Sequence, residues 1–482
     1  MVVRFGDRPP TVDDIVAIAA GERVELGADA LEVLVASRAV VERAIAAGEP
    51  VYGLNRRLGA GRDEAVDPAE FAAFQRRTIA NHRGGVGDPL PTEEARAVVA
   101  ARLAGFTRGG AGVRPELAEA YAGILNAGLA PRIPSRGSVG AADLTMLAEV
   151  AAVVTGEGRV LPDEPALRAL VAAGLRPIEL AAHEALAALS SNAYSVGVGA
   201  LAVTVAEGLC EAADRAVALS LEAVGASGPA GNLSPFSAVV AEARGGAGQM
   251  ASAAEVRAAL DGSALHDADR TVSVQDPLAF RSAPQLHGAL REAVARLRAE
   301  VDTELAARAE NPVVDAASGR MVSGGNFQAL PLALALENLR LALAHVAAAS
   351  ERRTAAHSAA LAPARSAGRT RIPGLLLYAA ADAAAEVRHL AAPATLASTT
   401  LSGVEDHSSL SPLALRLLQR SLALTGEVLA VEALHAADAL AVTGVTPTGA
   451  GTAPLARGLD DLVARTLPAA DLTRHAASLL AP

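Results

Sequence analysis

Long runs of apolar residues at helical spacing constrain this fold more than any other feature of the sequence. In Gln285–Arg308, leucine and valine recur at steps of three and four residues. Such a stripe is typical of a long helix that packs in a bundle. The same pattern marks Pro177–Val224, Leu330–Arg353, Leu376–Leu396 and Leu413–Leu440. The sequence therefore predicts a mostly α protein built on a bundle of long helices.

The rest of the chain suggests a division into three regions. Toward the N-terminus the predicted helices, such as Ala28–Ala47, alternate with loops rich in Gly and Pro. Thr443–Pro454 has the composition of a linker and leads into a short helical tail. We expect a smaller, loop-rich N-terminal region at 1–176, the long helices at 177–442, and the linker with short helices at 443–482. Stripes this apolar usually need more partners than one chain supplies, which predicts an oligomer; a self-sufficient monomeric bundle is the alternative.

Composition excludes several classes of protein. The chain of 482 residues carries a net charge of −11 and only 2 % aromatic residues, whereas nucleic-acid binding calls for a basic surface and usually stacking rings. All 42 basic residues are arginine, which removes the Schiff-base lysine of pyridoxal phosphate enzymes and aldolases and the P-loop lysine. The single cysteine, Cys210, excludes an intrachain disulfide framework. Glu179 and His183 alone are too little for a metal site, so we predict none.

The sequence also predicts where the protein resides. No uninterrupted apolar run reaches the ~18 residues of a membrane span. The most apolar candidate, Leu330–Ser350, contains Glu337 and Arg340, which favours a bundle helix. The first twenty residues are charged and lack the apolar core of a signal peptide. We therefore expect a soluble, cytoplasmic protein without membrane association.

Short motifs along the chain resemble one family in its order and near its spacing. Residues 137–144 read Gly-Ser-Val-Gly-Ala-Ala-Asp-Leu. This run resembles Gly-Ser-Val-Gly-Ala-Ser-Gly-Asp-Leu of the histidine and aromatic amino-acid ammonia-lyases, in which Ala-Ser-Gly cyclises into an electrophile, the methylidene-imidazolone (MIO) ring. The other matching motifs are Val51–Asn55, Asn81–Gly87, Val274–Pro277 with Arg281, Glu310–Pro312, Ser323–Phe327, Ser350–Arg353 and Glu405–His407. The resemblance spans about Val51 to Leu440, and the chain is identified as a member of that family.

The resemblance implies catalytic roles for two residues. Tyr52 stands where the family has its catalytic tyrosine, and it suits acid–base work if Arg56 and Arg57 lower its pKa. A loop tyrosine that packs on the surface is the alternative. His82 ends a predicted helix, where it can orient a substrate or pass a proton. Its alternative is a histidine that caps the helix and is favoured by the helix dipole.

The resemblance also implies a pocket for an amino-acid-like carboxylate. Arg281 has the fork geometry to hold that carboxylate, or it forms an ion pair with Asp276. Asn311 would donate to the same carboxylate or only shape an Asn-Pro turn, and Glu405 would bind an amino group or cap the next helix. The predicted substrate-binding residues are Arg281, Asn311, Gln275, Phe327, Glu405, Ser190, Tyr194, Arg56 and Arg57.

The MIO segment itself departs from the family. Ala141, Ala142 and Asp143 replace Ala-Ser-Gly, and the stretch is one residue shorter. Ala142 has no hydroxyl to lose as water, and a residue larger than Gly crowds the amide nitrogen that would close the ring. We therefore predict that this chain has no MIO group and no other cofactor.

Other departures surround the same chemistry. Ser190 replaces an asparagine that touches the ring, Leu278 replaces a second active-site tyrosine, and the Arg-Arg-Leu of 56–58 replaces Thr-Gly-Phe. Tyr194, four residues after Ser190 and thus on the same helical face, is a candidate to fill the vacated space. The arginines of 56–58 together with Arg83 suggest a ligand with more than one negative charge, although surface arginines are expected in a chain without lysine.

Three functional hypotheses follow. The first is an MIO-free, ammonia-lyase-like enzyme in which Tyr52 and His82 perform acid–base chemistry on an amino-acid-like carboxylate: elimination of a better leaving group than ammonia, isomerisation, or cyclisation by addition. The second is a non-catalytic homologue that serves as a partner subunit or binds a ligand. The third is a conventional histidine or aromatic amino-acid ammonia-lyase. The resemblance further implies a homotetramer with sites shared between subunits.

Overall fold

The computed structural model describes residues 2–396 and 405–481 and is mostly helical. The helices are α1 Val12–Ala19, α2 Ala28–Ala47, α3 Phe71–His82, α4 Thr92–Phe106, α5 Pro115–Asn126, α6 Leu144–Val154, α7 Ala166–Ala172, α8 Glu184–Leu189, α9 Ala193–Ser227, α10 Ala238–Arg244, α11 Ala247–Ala259, α12 Leu278–Arg281, α13 Ala283–Ala306, α14 Leu330–Ala360, α15 Ala362–Ser366, α16 Leu376–Leu390, α17 Ser411–Thr443, α18 Thr452–Ala464 and α19 Ala469–Leu480. The short strands are β1 Val2–Phe5, β2 Arg23–Leu26, β3 Val86–Pro89, β4 Pro134–Arg136, β5 Arg159–Val160, β6 Glu164–Pro165, β7 Val313–Asp315 and β8 Arg320–Val322. The mostly α fold class is confirmed.

The chain forms two compact units that alternate along the sequence. Unit 1 consists of Met1–Val203, Leu297–Leu336 and Ala394–Arg416. Unit 2 consists of Thr204–Arg296, Glu337–Pro393 and Leu417–Pro482. The four long helices α9, α13, α14 and α17 contribute residues to both units. The division into three consecutive regions stays a prediction.

The described strands all belong to unit 1 and pair two by two. β1 and β2 are parallel, whereas the pairs β3–β4, β5–β6 and β7–β8 are antiparallel. Two of these pairs position candidate site residues. The β3–β4 pair links the loop after α3 to the chain that enters residues 137–143. The β7–β8 hairpin lies between the Glu310–Pro312 motif and the Ser323–Phe327 motif.

The long helices appear close to their predicted bounds, with one correction. α13 begins and ends two residues before the predicted segment, and α16 ends at Leu390, shortly before Pro393. The predicted run Pro177–Val224 is not one helix, because α8 begins only at Glu184 and the chain leaves helical geometry between Leu189 and Ala193. His183 has a left-handed backbone with φ 79°, which prevents the helix from extending further back.

Among residues 2–396 and 405–481, two helical stretches are long and apolar enough to cross a membrane by length and composition, Glu184–Ser227 and Leu330–Ala360. Most of the residues in their apolar windows are buried within the chain itself. Core helices of soluble proteins have this property, since their apolar faces contact other protein segments instead of lipid.

Candidate active site

The segment that replaces Ala-Ser-Gly is held at both ends by hydrogen bonds within unit 1. On its N-terminal side, Leu410 N donates to Val139 O at 2.9 Å, and Ser409 Oγ donates to Gly140 O at 2.8 Å. On its C-terminal side, Asp143 N donates to Ser191 O at 2.8 Å. Only residues 141 and 142 lie between these anchors, so the backbone has little freedom there.

The residues in this segment do not fit an MIO ring. Ala142 is buried and adopts a left-handed backbone with φ 59°, which is strained for a residue with a Cβ. The amide nitrogen of Asp143, which follows it, already donates to Ser191 O. The nearby hydroxyl, Ser138 Oγ, lies 3.1 Å from Ala142 O and 3.0 Å from Asp143 Oδ1. No side chain in residues 141–143 supplies the oxygen that ring formation would remove as water.

The carboxyl group of Asp143 organises the surroundings of this segment. Its Oδ1 accepts from Ser138 Oγ at 3.0 Å and its Oδ2 accepts from Ser195 N at 2.9 Å. Asp143 is fully buried, and the loss of solvation raises its pKa to about 6, against the lowering effect of these hydrogen bonds. The group is therefore partly protonated near neutral pH, which its sequence position alone did not reveal.

The loop that carries Tyr52 is packed into unit 1 at its base. Val51 and Leu54 belong to an apolar cluster with residues of α2 and with Val314 of β7. Gly53 has φ 70°, and a Cβ at this position would collide with Leu186 of α8. The close approach of loop and helix therefore requires glycine here. This arrangement fixes the backbone on both sides of Tyr52.

The pKa of Tyr52 is raised, in contrast to the expected lowering by Arg56 and Arg57. Burial is the main cause, and the negative charge of Glu405 adds to it; the hydrogen bond that Gly59 N donates to the phenol oxygen at 3.1 Å has the opposite effect. The two arginines have other partners: Arg56 donates to Asn55 O at 3.2 Å, and Arg57 lies 3.2 Å from Glu64. Tyr52 is therefore protonated at neutral pH and suited to act first as an acid.

His82 is the last residue of α3, and its tautomer is set by a hydrogen bond. Its Nδ1 lies 2.7 Å from Thr78 O. Since a carbonyl oxygen only accepts, Nδ1 carries the proton and Nε2 presents a lone pair in the neutral ring. Arg83, the next residue, forms an ion pair with Glu149 at 3.0 Å. Arg57 and Arg83 are thus both neutralised, which weakens the argument for a ligand with several negative charges.

Ser190, Asn311 and the loop after β8 lie together in unit 1. Ser190 Oγ accepts from Asn311 N at 3.0 Å, and Asn311 Oδ1 accepts from Gly324 N at 3.1 Å. These contacts orient the Asn311 side chain and leave its amide NH2 group to donate to a carboxylate. The half-buried Phe327 follows in the same loop, and the neighbouring Gln328 Nε2 lies 3.1 Å from His407 Nδ1. The loop thereby contacts the segment of Glu405, an exposed residue whose charge reaches Tyr52.

Tyr194 does not stand over Ser190 in the way its spacing suggested. α8 ends at Leu189 and α9 begins at Ala193, so Ser190 and Tyr194 do not share one helical face. The Tyr194 side chain is buried, and burial raises its pKa to about 12, while the hydrogen bond and charge of Arg416 lower it. Its polar end is thus occupied by Arg416.

The sequence interpretation missed a carboxyl group beside the Ser190–Asn192 turn. Glu304 of α13 accepts a hydrogen bond from Asn192 Nδ2 at 3.3 Å, and both residues line a cavity of about 20 Å³ with Ser191. Burial raises the pKa of Glu304 to about 7, and the charge of Asp143 adds to this effect. In the sequence, the feature that could have pointed to Glu304 is its position next to the apolar stripe of the predicted helix. Within residues 2–396 and 405–481, no three His, Cys, Asp or Glu side chains converge as a metal site requires.

A separate pocket in unit 2 contains Arg281 and Gln275. Its volume is about 360 Å³, and Gln285 and Asn232 also line it. The alternative role for Arg281, an ion pair with Asp276, is not formed, because Asp276 Oδ2 instead accepts from Gly231 N at 2.9 Å and Asn232 N at 2.7 Å. Arg281 Nε is buried without a partner. The guanidinium is therefore available to a carboxylate ligand.

Known proteins are similar to this chain in both sequence and fold. The family model for aromatic amino acid lyases matches residues 11–460. A histidine ammonia-lyase from Paracidovorax citrulli is 35 % identical over 453 residues, covering 89 % of this chain and 86 % of that protein. Ergothionase from Treponema denticola, described as an ergothioneine-degrading enzyme, has a TM-score of 0.91 at 28 % identity, with 100 % and 98 % of the two chains covered. Tyrosine aminomutase from Streptomyces globisporus has a TM-score of 0.89 at 29 % identity, with 100 % and 97 % covered.

The family model, the relatives and the fold thus define an enzyme of the carbon–nitrogen lyase type. The chain belongs to the aromatic amino acid lyase family, and relatives from Paracidovorax citrulli, Anaeromyxobacter sp. and Myxococcus xanthus are named histidine ammonia-lyase. The predicted family membership, fold class and lyase-like character are confirmed. The absence of the MIO group and the individual roles of the site residues stay predictions.

Proposed function

We propose that this protein is a lyase that works without an MIO group, on an amino-acid-like carboxylate whose leaving group needs no electrophile. The observation that supports this proposal most concerns segment 141–143. Ala142 has no hydroxyl, and the amide nitrogen of Asp143 already donates to Ser191 O. Ammonia is a poor leaving group and requires activation. A quaternary nitrogen departs as a neutral tertiary amine, so acid–base groups alone suffice.

In the proposed reaction, Asn311 of one subunit and Arg281 contributed by another subunit hold the substrate carboxylate, since each presents N–H donors. His82 Nε2 accepts the proton from the carbon β to that carboxylate, and the electron pair of the broken C–H bond forms the double bond. The C–N bond breaks with its electron pair on nitrogen, and the amine leaves. Tyr52, protonated because its pKa is raised, donates a hydrogen bond where negative charge develops. Isomerisation or cyclisation by addition would use the same groups.

The substrate class is suggested by a relative. The Treponema denticola enzyme, whose structure has a TM-score of 0.91 with this chain, is described as degrading ergothioneine. Ergothioneine is a betaine, and its α-nitrogen carries three methyl groups. We propose that this chain accepts a betaine of an aromatic or imidazole amino acid.

A matched pair of substrates tests this function. L-Histidine and its Nα-trimethyl betaine differ only in the leaving nitrogen, and elimination from either yields the same unsaturated acid, urocanate. We expect urocanate and trimethylamine from the betaine and no urocanate from histidine. Intact mass spectrometry is expected to show no loss of two water molecules, and the near-ultraviolet band of the MIO ring is expected to be absent. A dehydrated mass, or turnover of histidine, would overturn the proposal.

A conventional histidine ammonia-lyase is the second candidate, because curated relatives at 35 % and 37 % identity carry that name. It requires an electrophile from residues other than 141–143, and the mass measurement separates it from the first proposal. Either activity places the enzyme in the metabolism of amino acids.

We further propose a cytoplasmic homotetramer with active sites shared between subunits. Exposed apolar side chains near the Arg281 pocket support an assembly, since Val274 is 89 % and Leu278 62 % exposed. Light scattering after gel filtration tests the tetramer. Mixing and refolding inactive Tyr52→Phe and Arg281→Ala chains is expected to restore part of the activity, because some sites then receive both intact residues. Absence of any restored activity would contradict shared sites.

A further inference from the structure

The turn between α8 and α9 is bound on three sides within unit 1. Three consecutive residues of the turn each form a hydrogen bond to a different segment of the chain. The three bonds are Ser190 Oγ with Asn311 N at 3.0 Å, Ser191 O with Asp143 N at 2.8 Å, and Asn192 Nδ2 with Glu304 Oε2 at 3.3 Å. The turn therefore connects α13 both with Asn311 and with the segment that replaces Ala-Ser-Gly.

One of these three contacts depends on a group that titrates near neutral pH. The contacts of Ser190 and Ser191 use backbone amides, a hydroxyl and a carbonyl oxygen, which do not titrate there. Asn192 contacts the carboxyl group of Glu304, and burial raises the pKa of this group to about 7. The carboxylate only accepts and must face Nδ2, whereas the protonated acid has a donor of its own. Asn192 Oδ1 is buried and has no hydrogen-bond partner in the described part of the chain, so protonation of Glu304 favours a turned amide.

Glu304 has charged neighbours on its own helix and on other segments. Asp143 and Glu300, which lies one turn earlier on α13, both contribute to the raised pKa of Glu304. Arg102 of α4 and Glu310 line the same cavity of about 20 Å³, and they form an ion pair with each other at 3.0 Å. A cavity of this volume holds about one water molecule. On this side, solvent therefore cannot replace the amide partner of Glu304.

We infer that Glu304 is a positioning residue for the proposed carboxylate site, where its ionised side chain fixes Asn192 and thereby the turn that holds Asn311. The inference rests on the proposed function in assigning the substrate carboxylate to Asn311. Direct repulsion between Glu304 and a bound carboxylate acts in the opposite direction, since protonation relieves it. Glu304 contacts the turn itself and reaches Asn311 through two intervening side chains, so we expect positioning to exceed repulsion. Carboxylates should therefore bind more tightly above pH 7 than below it.

Fluorine NMR tests the movement of the turn without a ligand. The chain has four tyrosines, and Tyr194 lies two residues after Asn192, in the first turn of α9. Burial raises the pKa of Tyr194 to about 12, so its phenol does not titrate near neutral pH. In protein labelled with 3-fluorotyrosine, the Tyr194 resonance, assigned with Tyr194→Phe, is expected to shift between pH 6 and pH 8 with a midpoint near 7.

Two variants of α13 assign this step to one residue. Glu304→Gln does not titrate and should lack the step. Glu300→Gln is the matched control with the same change of charge, and it should keep the step at a slightly lower pH, because a negative charge beside Glu304 is gone. A step near pH 7 that persists in Glu304→Gln, or no step in the native protein, would overturn the inference.

Binding of trans-cinnamate tests the link to the carboxylate site. This acid is an elimination product of the proposed substrate class and stays ionised between pH 6 and pH 8. We expect its Kd, measured by calorimetry, to rise roughly fivefold from pH 8 to pH 6 in the native protein. Glu304→Gln keeps an acceptor for Asn192 and should bind at both pH values as the native protein does at pH 8. Glu304→Leu has no acceptor and should bind at least roughly tenfold more weakly at both.

The outcomes separate this inference from the proposed function. If charge alone acts, Glu304→Gln and Glu304→Leu would bind equally, and more tightly than the native protein at pH 8, which would overturn the inference. Should Glu304→Leu fail to fold, a fivefold pH effect retained in Glu304→Gln would overturn it as well. No binding of cinnamate to the native protein would contradict the proposed carboxylate site, and the fluorine step alone would then decide whether Glu304 fixes the turn.

Discussion

The amide nitrogen of Asp143 donates a hydrogen bond to the carbonyl oxygen of Ser191 at 2.8 Å. This bond joins the segment that replaces Ala-Ser-Gly to the turn between α8 and α9. The nitrogen that would close a ring after Ala142 is therefore engaged in holding the backbone. The bond also places the Asp143 carboxyl group where Ser195 N reaches it.

Asp143→Asn is expected to change how stability depends on pH. The folded-state pKa of Asp143 is about 6, above its ordinary value of 3.8. The stabilisation from this group is therefore fully present below about pH 4 and is lost as the pH rises through about 6. Asparagine remains neutral, so the variant should gain roughly 3 kcal/mol relative to the native protein between pH 4 and pH 8. Urea denaturation at several pH values measures this difference, and parallel stability curves would contradict it.

His183→Asn is expected to remove an acid sensitivity. Burial, aided by the charge of Arg38, lowers the pKa of His183 to about 4 from 6.5. The stability associated with its neutral form is present above about pH 6.5 and decreases as the pH falls toward 4, by roughly 3 kcal/mol. Asparagine tolerates the left-handed backbone of this position and does not titrate. Thermal melts of both proteins at pH 7 and pH 5 should show the smaller decrease in Tm for the variant.

Tyr52→Phe is expected to lower kcat by about 100-fold or more while the fold is retained, because the phenol is the proposed hydrogen-bond donor to the developing negative charge. Tyr378→Phe is the matched control, since Tyr378 is 66 % exposed and lies in unit 2. Steady-state kinetics with the betaine substrate and circular dichroism of both variants provide the measurement. If the Tyr52→Phe enzyme keeps its activity, Tyr52 only packs in its loop and takes no part in the reaction.

Arg281→Lys is expected to raise KM by roughly 10- to 100-fold with a smaller effect on kcat, because lysine cannot form the bidentate contact with a carboxylate. Arg244→Lys, at the exposed end of α10, is the control. With a substrate in which an amide replaces the carboxylate, the native protein and the Arg281→Lys variant should have the same KM. If it does not, Arg281 acts on another group.

The buried ion pair between Arg353 and Glu432 makes a prediction about stability. Two hydrogen bonds of 2.6 Å and 2.8 Å join them, and both side chains are fully buried. Removing one partner leaves an uncompensated charge, so Glu432→Gln should cost about 3–5 kcal/mol. The double variant Arg353→Met/Glu432→Gln should be less destabilised than the sum of the two single variants. Denaturant unfolding of all four proteins tests this coupling.

Sequence patterns located helices well where local signals agree with packing. α2 has its predicted bounds and α3 ends at His82 as predicted. α2 stops at Gly48, whose left-handed conformation ends the helix. The break between α8 and α9 was missed, because Ser190 and its neighbours are compatible with a helix and leave it only through tertiary hydrogen bonds such as Asn311 N to Ser190 Oγ.

Motif resemblance proposed the residues of the candidate site but not their electrostatics. The roles of Tyr52, His82 and Asn311 stay predictions. The sequence could not show that the pKa of Tyr52 is raised, because burial depends on contacts that are remote in sequence. Glu304 was missed for the same reason, since only the folded chain brings α13 beside Asn192.

The two anchored ends of residues 141–142 limit how this protein can evolve. Serine at position 142 would restore a hydroxyl, yet Asp143 N would remain bound to Ser191 O and the chain would still be one residue short. On the proposed MIO-free mechanism, ring formation in this segment would require an inserted codon together with a change of residue, and single nucleotide substitutions cannot provide both. Variants of this protein would therefore change the substrate's leaving group more easily than acquire the electrophile.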